Sequence, residues 1–160
     1  MEGAQTMSSV EVTSHVPYVV NEVGQAAKQA LTMIGGTIEG HAKEACPVDS
    51  GLLRNSITYA LGGETTGVTT YMSEKGGITG KYEGVAPQDA DGQMTVYIGT
   101  NVEYAPFVEL GHNQEVGRFV PAIGKRLKKP HVDAKPFLRP AVENHEQEIQ
   151  QIIIRCFRGI

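Results

Sequence analysis

The sequence predicts an α+β domain: one long helix, then short strands, then a terminal helix, with two long loops among them. Three observations point to that class. Apolar residues recur every three or four positions from Val20 to Ala45, "MTVYIG" alternates with period two, and helical spacing returns after Leu138. At 160 residues and 40% hydrophobic content, the chain can bury one core but is short for two. Residues 20–160 are therefore expected to form a single domain, and residues 1–19 a flexible N-terminal arm.

In the first helix, Val23, Ala27, Leu31, Ile34, Ile38, Ala42 and Ala45 form the stripe expected to face the core. Within it, Gly35-Gly36 costs of order 1 kcal/mol per residue relative to alanine, so the pair marks a bend or a place where another backbone comes close. Pro47 ends the helix, because a residue before proline, here Cys46, is pushed out of the helical region. "SITYAL" and "GVTTYM" are rich in β-branched and aromatic residues and are expected to be two strands joined by the turn "GGETT". Residues 73–92 hold five glycines without a period and are expected to be a long loop. Met94, Val96 and Ile98 then alternate with Thr95, Tyr97 and Gly99, the pattern of a half-buried strand. In "EYAPFVELG", Pro106 suits a first helical turn and Gly111 its exit, with Tyr104, Phe107 and Leu110 expected to reach inward. Residues 112–135 are expected to be the second long loop. "KPFLRPA" opens the last helix, with Pro140 near its first position and Leu138, Val142, His145, Ile149, Ile152 and Cys156 sharing one face.

The net charge of −4 conceals a polarity: residues 1–60 carry −3, residues 61–117 carry −6, and residues 118–160 carry +5. A chain polarised in this way can attract its own kind, acidic surface to basic surface. Half of the 14 basic residues lie between positions 117 and 139. They are Arg118, Lys125, Arg126, Lys128, Lys129, Lys135 and Arg139, against Asp133 alone. The first six are candidate interface residues. They could contact DNA phosphates or an acidic protein surface, but too few aromatics interleave with them to stack on bases.

Catalytic chemistry finds little support. "CPVDSGLLRNSI" crowds Cys46, Asp49 and Ser50 together, with His41 five residues upstream. A nucleophilic thiol needs a base within reach. Five residues turn a helix through about 500°, which leaves His41 and Cys46 apart around the axis. Cys46 is expected to be a small buried hydrophobe, and Asp49, Ser50 and Gly51 to be turn chemistry. The histidines at 15, 41, 112, 131 and 145 show neither HxxxH nor HExxH spacing, His145 reads as a core histidine, and no GxxxxGK[ST] occurs. No enzyme, no metal and no cofactor are expected. Cys46 and Cys156, 110 positions apart, are expected to stay reduced. The sequence holds no run of about 18 apolar residues and no basic-then-apolar leader, so no membrane partner is expected and synthesis is placed in the cytoplasm.

The order of motifs is more specific than any one of them. A long helix, then "PVDSGLLRNSI", then "VYIGTNVEYAPFVELG", then "AKPFLRPA" resembles the phage tail-component family, the neck and tail-completion proteins of long-tailed bacteriophages. The resemblance spans roughly residues 20–155. It implies a curved antiparallel sheet packed by the long N-terminal helix, and a structural virion protein rather than an enzyme. It implies a homo-oligomeric ring, of six or twelve copies, that joins the capsid connector to the tail. Implied partners are a connector or adaptor ring, tail terminator or tube proteins, and genome DNA passing through the channel. Tail terminator or connector adaptor are the alternatives within that class. A DNA-binding module using residues 117–139, and more remotely a small cysteine hydrolase, are the alternatives outside it.

The family's motif positions fall here on Pro47, Asp49, Gly51, Leu52 and Arg54, on Tyr104, Ala105, Val108, Glu109 and Gly111, and on Pro136, Phe137, Arg139, Pro140 and Ala141. The first set is expected to shape the passage from helix to strand, and Arg54, Glu109 and Arg139 to form an ion-pair cluster holding loops to the sheet. Loops 73–92 and 112–135 are longer than the resemblance implies and are expected to project toward the channel or a neighbouring ring.

Overall fold

The computed structural model describes residues 15–65, 70–77, 79–81, 85–90, 93–121, 124–158 and 160. Residues 1–14 of the expected arm, and residues 67–69 of the expected strand "GVTTYM", lie outside them. From Val16 the chain is already helical: α1 runs over Val16–Ala45, with proline in its first turn where no intrahelical N–H is required. It stops where Cys46 turns extended, at φ −66° and ψ 126°, ahead of Pro47.

The buried face of α1 consists of Ala26, Ala30, Ile34, Gly35, Ile38 and Ala42. Compared with the expected stripe it is rotated: Ala27 and Leu31 lie at its flank, while Val23 and Ala45 are exposed. Apolar residues surround the first half of the helix, so periodicity alone selects no face there. The small Ala26 and Ala30 mark the side that comes close to the rest of the fold. At Gly35-Gly36 the helix is unbroken, and the ring of Tyr59 lies against Gly35 where any Cβ would overlap it. Close approach is thus the reason for that glycine, by a side chain rather than a backbone. The first turns of α1 bury nothing: Val16 is 66% exposed and Val20 65%, with Tyr18 and Val19 also open to solvent.

After α1 comes a short helix, α2 (Leu52–Ser56), where only a turn was expected. Four strands follow: β1 (Thr58–Leu61), β2 (Thr70–Met72), β3 (Thr79–Lys81) and β4 (Val96–Gly99). Among the described residues, the expected hairpin of "SITYAL" with "GVTTYM" does not form. β1 pairs antiparallel with β4, Tyr59 opposite Ile98, and β2, the described end of "GVTTYM", pairs with β3, which lies inside the expected loop 73–92. Gly76 and Gly77, with φ of 75° and 76°, supply the turn that folds β3 back. Tyr71 then packs its ring on Gly80 and donates its hydroxyl to Oδ1 of Asn101 at 2.5 Å.

The helix α3 (Ala105–Leu110) follows, and the chain from His112 to Val132 forms β5 (His112–Asn113), β6 (Phe119–Val120), β7 (Lys125–Arg126) and β8 (His131–Val132). The last helix is broken in two, α4 (Leu138–Glu143) and α5 (Glu146–Phe157), at Asn144-His145. Ala141 rather than Val142 enters the core there, because α4 ends one turn after it begins and α5 sets its own face.

The class is α+β, as the sequence predicts. Among the described residues the strands form four two-stranded antiparallel ladders, not one curved sheet. One hydrophobic core joins Ile34, Ile38 and Ala42 of α1 to Leu53, Ile57, Val102, Phe137, Ala141 and Ile152. α1 packs against α4, α5, β1 and β4 to close it. Cys46 belongs to this core, and burial raises its thiol to about 11, outside the range of a reactive nucleophile. Both cysteines are free thiols.

Candidate assembly surface

The first motif does more than turn the chain. Gly51 adopts φ 74°, and the side chain of Glu74 lies over it where a Cβ would sit, 2.6 Å from Cδ. Arg54 pairs with that same Glu74. The carbonyl of Ser50 accepts from the Glu74 N–H at 2.7 Å and from the Ser73 hydroxyl at 2.9 Å, and Lys75 reaches Asp49 at 2.5 Å. "DSGLLR" is therefore the seat to which the turn between β2 and β3 is fastened.

The second and third motifs meet through Glu109. Its Oε2 accepts from the N–H groups of Phe137 at 2.7 Å and Leu138 at 3.0 Å, and its Oε1 from Arg139 at 3.0 Å. These are the orphan donors at the start of α4, and no side chain of α4's own cap residue satisfies them. Burial pushes the Glu109 carboxyl up, but the three N–H groups and the nearby Arg139 charge outweigh it and hold it below the usual carboxylate range. The expected cluster of Arg54, Glu109 and Arg139 is thus replaced by two separate arrangements: Arg54 answers Glu74, and Glu109 answers main-chain N–H groups. Phe137 sits fully buried just before the capped turn.

The three aromatic and aliphatic residues expected to point inward from α3 do the opposite. Tyr104 is 42% exposed, Phe107 54% and Leu110 67%, whereas Ala105 is buried and Val108 packs on the core. A six-residue helix has room for one inward stripe, and the small Ala105 lets it lie close. Beside this outward face lies an open cleft of about 560 Å³, lined by Pro47, Val48, Gly51, Leu52, Tyr104, Phe107, Val108 and Val132 among others. Residues of the first two motifs share this one cleft, with Lys135 at its edge next to the third.

The basic stretch is a β-hairpin rather than a loop. β5 pairs with β8 at its base and β6 with β7 near its tip, and the bonds Gly117 N–H to Leu127 C=O and Leu127 N–H to Arg118 C=O bridge the two ladders. Gly111, at φ 70°, lets the return strand pass: a Cβ there would sit 2.7 Å from the Val132 carbonyl oxygen. Below it, the Lys135 N–H donates to the Val108 carbonyl at 2.8 Å. Arg118, Lys125, Arg126, Lys128, Lys129 and Lys135 are all exposed on this arm or at its foot. Arg126 donates to the Gly117 carbonyl at 2.7 Å and lies 6.0 Å over the Phe119 ring. Among the described residues, the other five form no ion pair.

The acidic middle of the chain is engaged differently. Glu64 pairs with Lys28, Glu74 with Arg54, Glu109 caps α4, and Asp89 accepts from the Thr95 N–H at 3.0 Å. Four of the acidic residues between 61 and 117 are thus engaged within the subunit, while Glu103 and Glu115 are exposed.

Residues 11–111 match the model of the HK97-gp10-like family, a family of bacteriophage HK97-gp10 tail components, over well more than half of the chain. The chain belongs to that family. It is a phage tail component. The match ends at Gly111, the residue from which the basic arm departs, so the first two motifs lie within it and the arm and "KPFLRPA" beyond it. No curated protein and no solved structure matches the chain. Among the described residues of this tail component, no helix is long and apolar enough to cross a membrane.

Proposed function

We propose that this tail component works at the phage neck as a tail-completion protein, a closed ring of identical subunits that joins the capsid connector to the tail. The observation that supports it is the arm: a hairpin held by its own main-chain bonds, carrying on it and at its foot five exposed cations that form no ion pair among the described residues. Two exposed apolar surfaces, the first turns of α1 and the outer face of α3, would be covered by neighbouring copies. Contacts between unlike surfaces of identical subunits close into a ring when the rotation permits. In a ring of six or twelve, the arms would gather their lysines and arginines around one opening and dock the acidic surface of the adjoining ring. Terminator or connector adaptor would place the same ring one station away.

Exchange of Arg118, Lys125, Lys128 and Lys129 for glutamate tests this, leaving Arg126 to hold Gly117. The variant is expected to fold and melt as the wild type does, yet to fail in complementation, with filled heads and tails left unjoined by electron microscopy. Normal yields of joined, infectious particles would refute the proposal. Tight binding of free duplex by the wild type, falling with salt at a log–log slope of about −0.9 per phosphate contact, would favour the DNA-binding alternative instead.

A further inference from the structure

Three residues unrelated in sequence spacing meet where α1 packs on the C-terminal helices. His41 comes from the last third of α1, His145 stands at the N-cap of α5, and Glu148 lies in the first turn of α5. His145 and Glu148 are three apart, which sets them on one side of the helix start. The imidazoles of His41 and His145 stack at 3.5 Å, 10° from parallel, and Nε2 of His41 is 2.8 Å from Oε2 of Glu148. One donor atom from each residue lies within 4.8 Å of the others.

We propose that His41, His145 and Glu148 form a divalent transition-metal site of the zinc type that clamps α1 to α5. Two imidazoles and one carboxylate are the donor set that borderline ions take, whereas Mg²⁺ and Ca²⁺ prefer shells of oxygen. The supporting contacts suit ligation. Nδ1 of His145 is 3.0 Å from the Ala141 carbonyl, so Nδ1–H donates there and Nε2 keeps its lone pair for an ion. On the far side of His41, Nδ1 lies 3.9 Å from the exposed Glu44 carboxylate, too far for a hydrogen bond but near enough to favour a positive site. Metal–ligand bonds of about 2.0–2.2 Å put tetrahedral donors about 3.3–3.6 Å apart, so side-chain movements of about 1–2 Å, splaying the two rings, bring the three donors to that spacing. Glu148 is half-exposed, which leaves the fourth position to water. The binding replaces a hydrogen bond and a ring stack between two helices with three bonds to one ion.

The test is thermal unfolding of the full chain with ZnCl₂, with MgCl₂, and with EDTA. At Zn²⁺ a hundredfold above its dissociation constant, the midpoint is expected to rise by about 5–10 °C, to return with EDTA, and to be unmoved by Mg²⁺. Co²⁺ should give the visible absorption of a tetrahedral site. His145→Gln and Glu148→Gln should each weaken Zn²⁺ binding at least about tenfold, while His131→Gln, on the arm, leaves it unchanged. His41→Ala adds a third check, and the first two suffice if it does not fold. No Zn²⁺ shift in the wild type would overturn the proposal, as would an equal shift in the His145→Gln and Glu148→Gln proteins.

Discussion

The two halves of α1 are built from similar residues and do opposite things. From Ala26 to Ala42, Ala, Ile and Gly residues face α4, α5, β1 and β4, and Ile38 and Ala42 are closed off from solvent. From Val16 to Val23, four valines and a tyrosine are exposed to solvent. Apolar side chains drive burial wherever a partner surface exists, so the difference lies in the partner, not in the helix. One half builds the core of the subunit, and the other stays open to solvent among the described residues.

The largest effect is expected in the buried half. Ile38→Ala removes a side chain that is 1% exposed in the middle of the core and should cost about 2–5 kcal/mol, read as a lower denaturant midpoint at constant slope. A loss below about 1 kcal/mol would mean that the core around α1 collapses to fill the gap.

A smaller effect should follow from loosening what the buried half packs on. Glu109→Ala uncaps α4 and is expected to cost about 1–2 kcal/mol without touching α1 itself. The wild type should also carry a pH signature. Because the folded carboxyl lies below its ordinary value of 4.5, the stability it contributes is complete above that pH and is lost as pH falls through the folded value. Unfolding curves taken from pH 6 down to 3 should therefore converge for the wild type and the variant at the acid end. Curves that stay parallel would show that the three N–H bonds do not depend on the charge.

The smallest change in stability belongs to the exposed half. Val16→Ser with Val20→Ser should move the midpoint of the isolated chain by no more than about 0.5 kcal/mol. If those turns are covered by another copy, the same pair should lower assembly, read as fewer completed particles. A variant that assembles normally would make the exposed half of α1 mere surface.

The contrast also explains what the sequence could and could not tell. Ile34, Ile38 and Ala42 are found by spacing, because in that half helical period and burial coincide. Spacing says nothing about Val23 or Leu31, where apolar residues encircle the helix and only small Ala26 and Ala30 betray the close side. Strands β1 and β4 are legible one at a time, but period two does not name a partner, and theirs lies past a second hairpin. The arm was hidden by its two-residue ladders, too short to alternate, although Gly117 and Gly124 mark its bends. Of the motif residues, Glu109 was visible as a charge in a recurring pattern. Its role was not, because main-chain N–H groups 28 to 30 positions away leave no mark on composition. His145 and Glu148 offered a spacing that could have been noticed; His41 offered none.

The foot of the arm has a mechanical consequence. Its outgoing strand leaves from Gly111 at the end of α3, and its return segment is tied to α3 again through Lys135 and Val108. Both ends of the hairpin are therefore moored to the same six residues, and a pull on the tip reaches the body first through α3. From there Glu109 passes tension to the first turn of α4, and Phe137 carries it into the core beside α1. Strain applied at the tip would travel along that line of helices into the core.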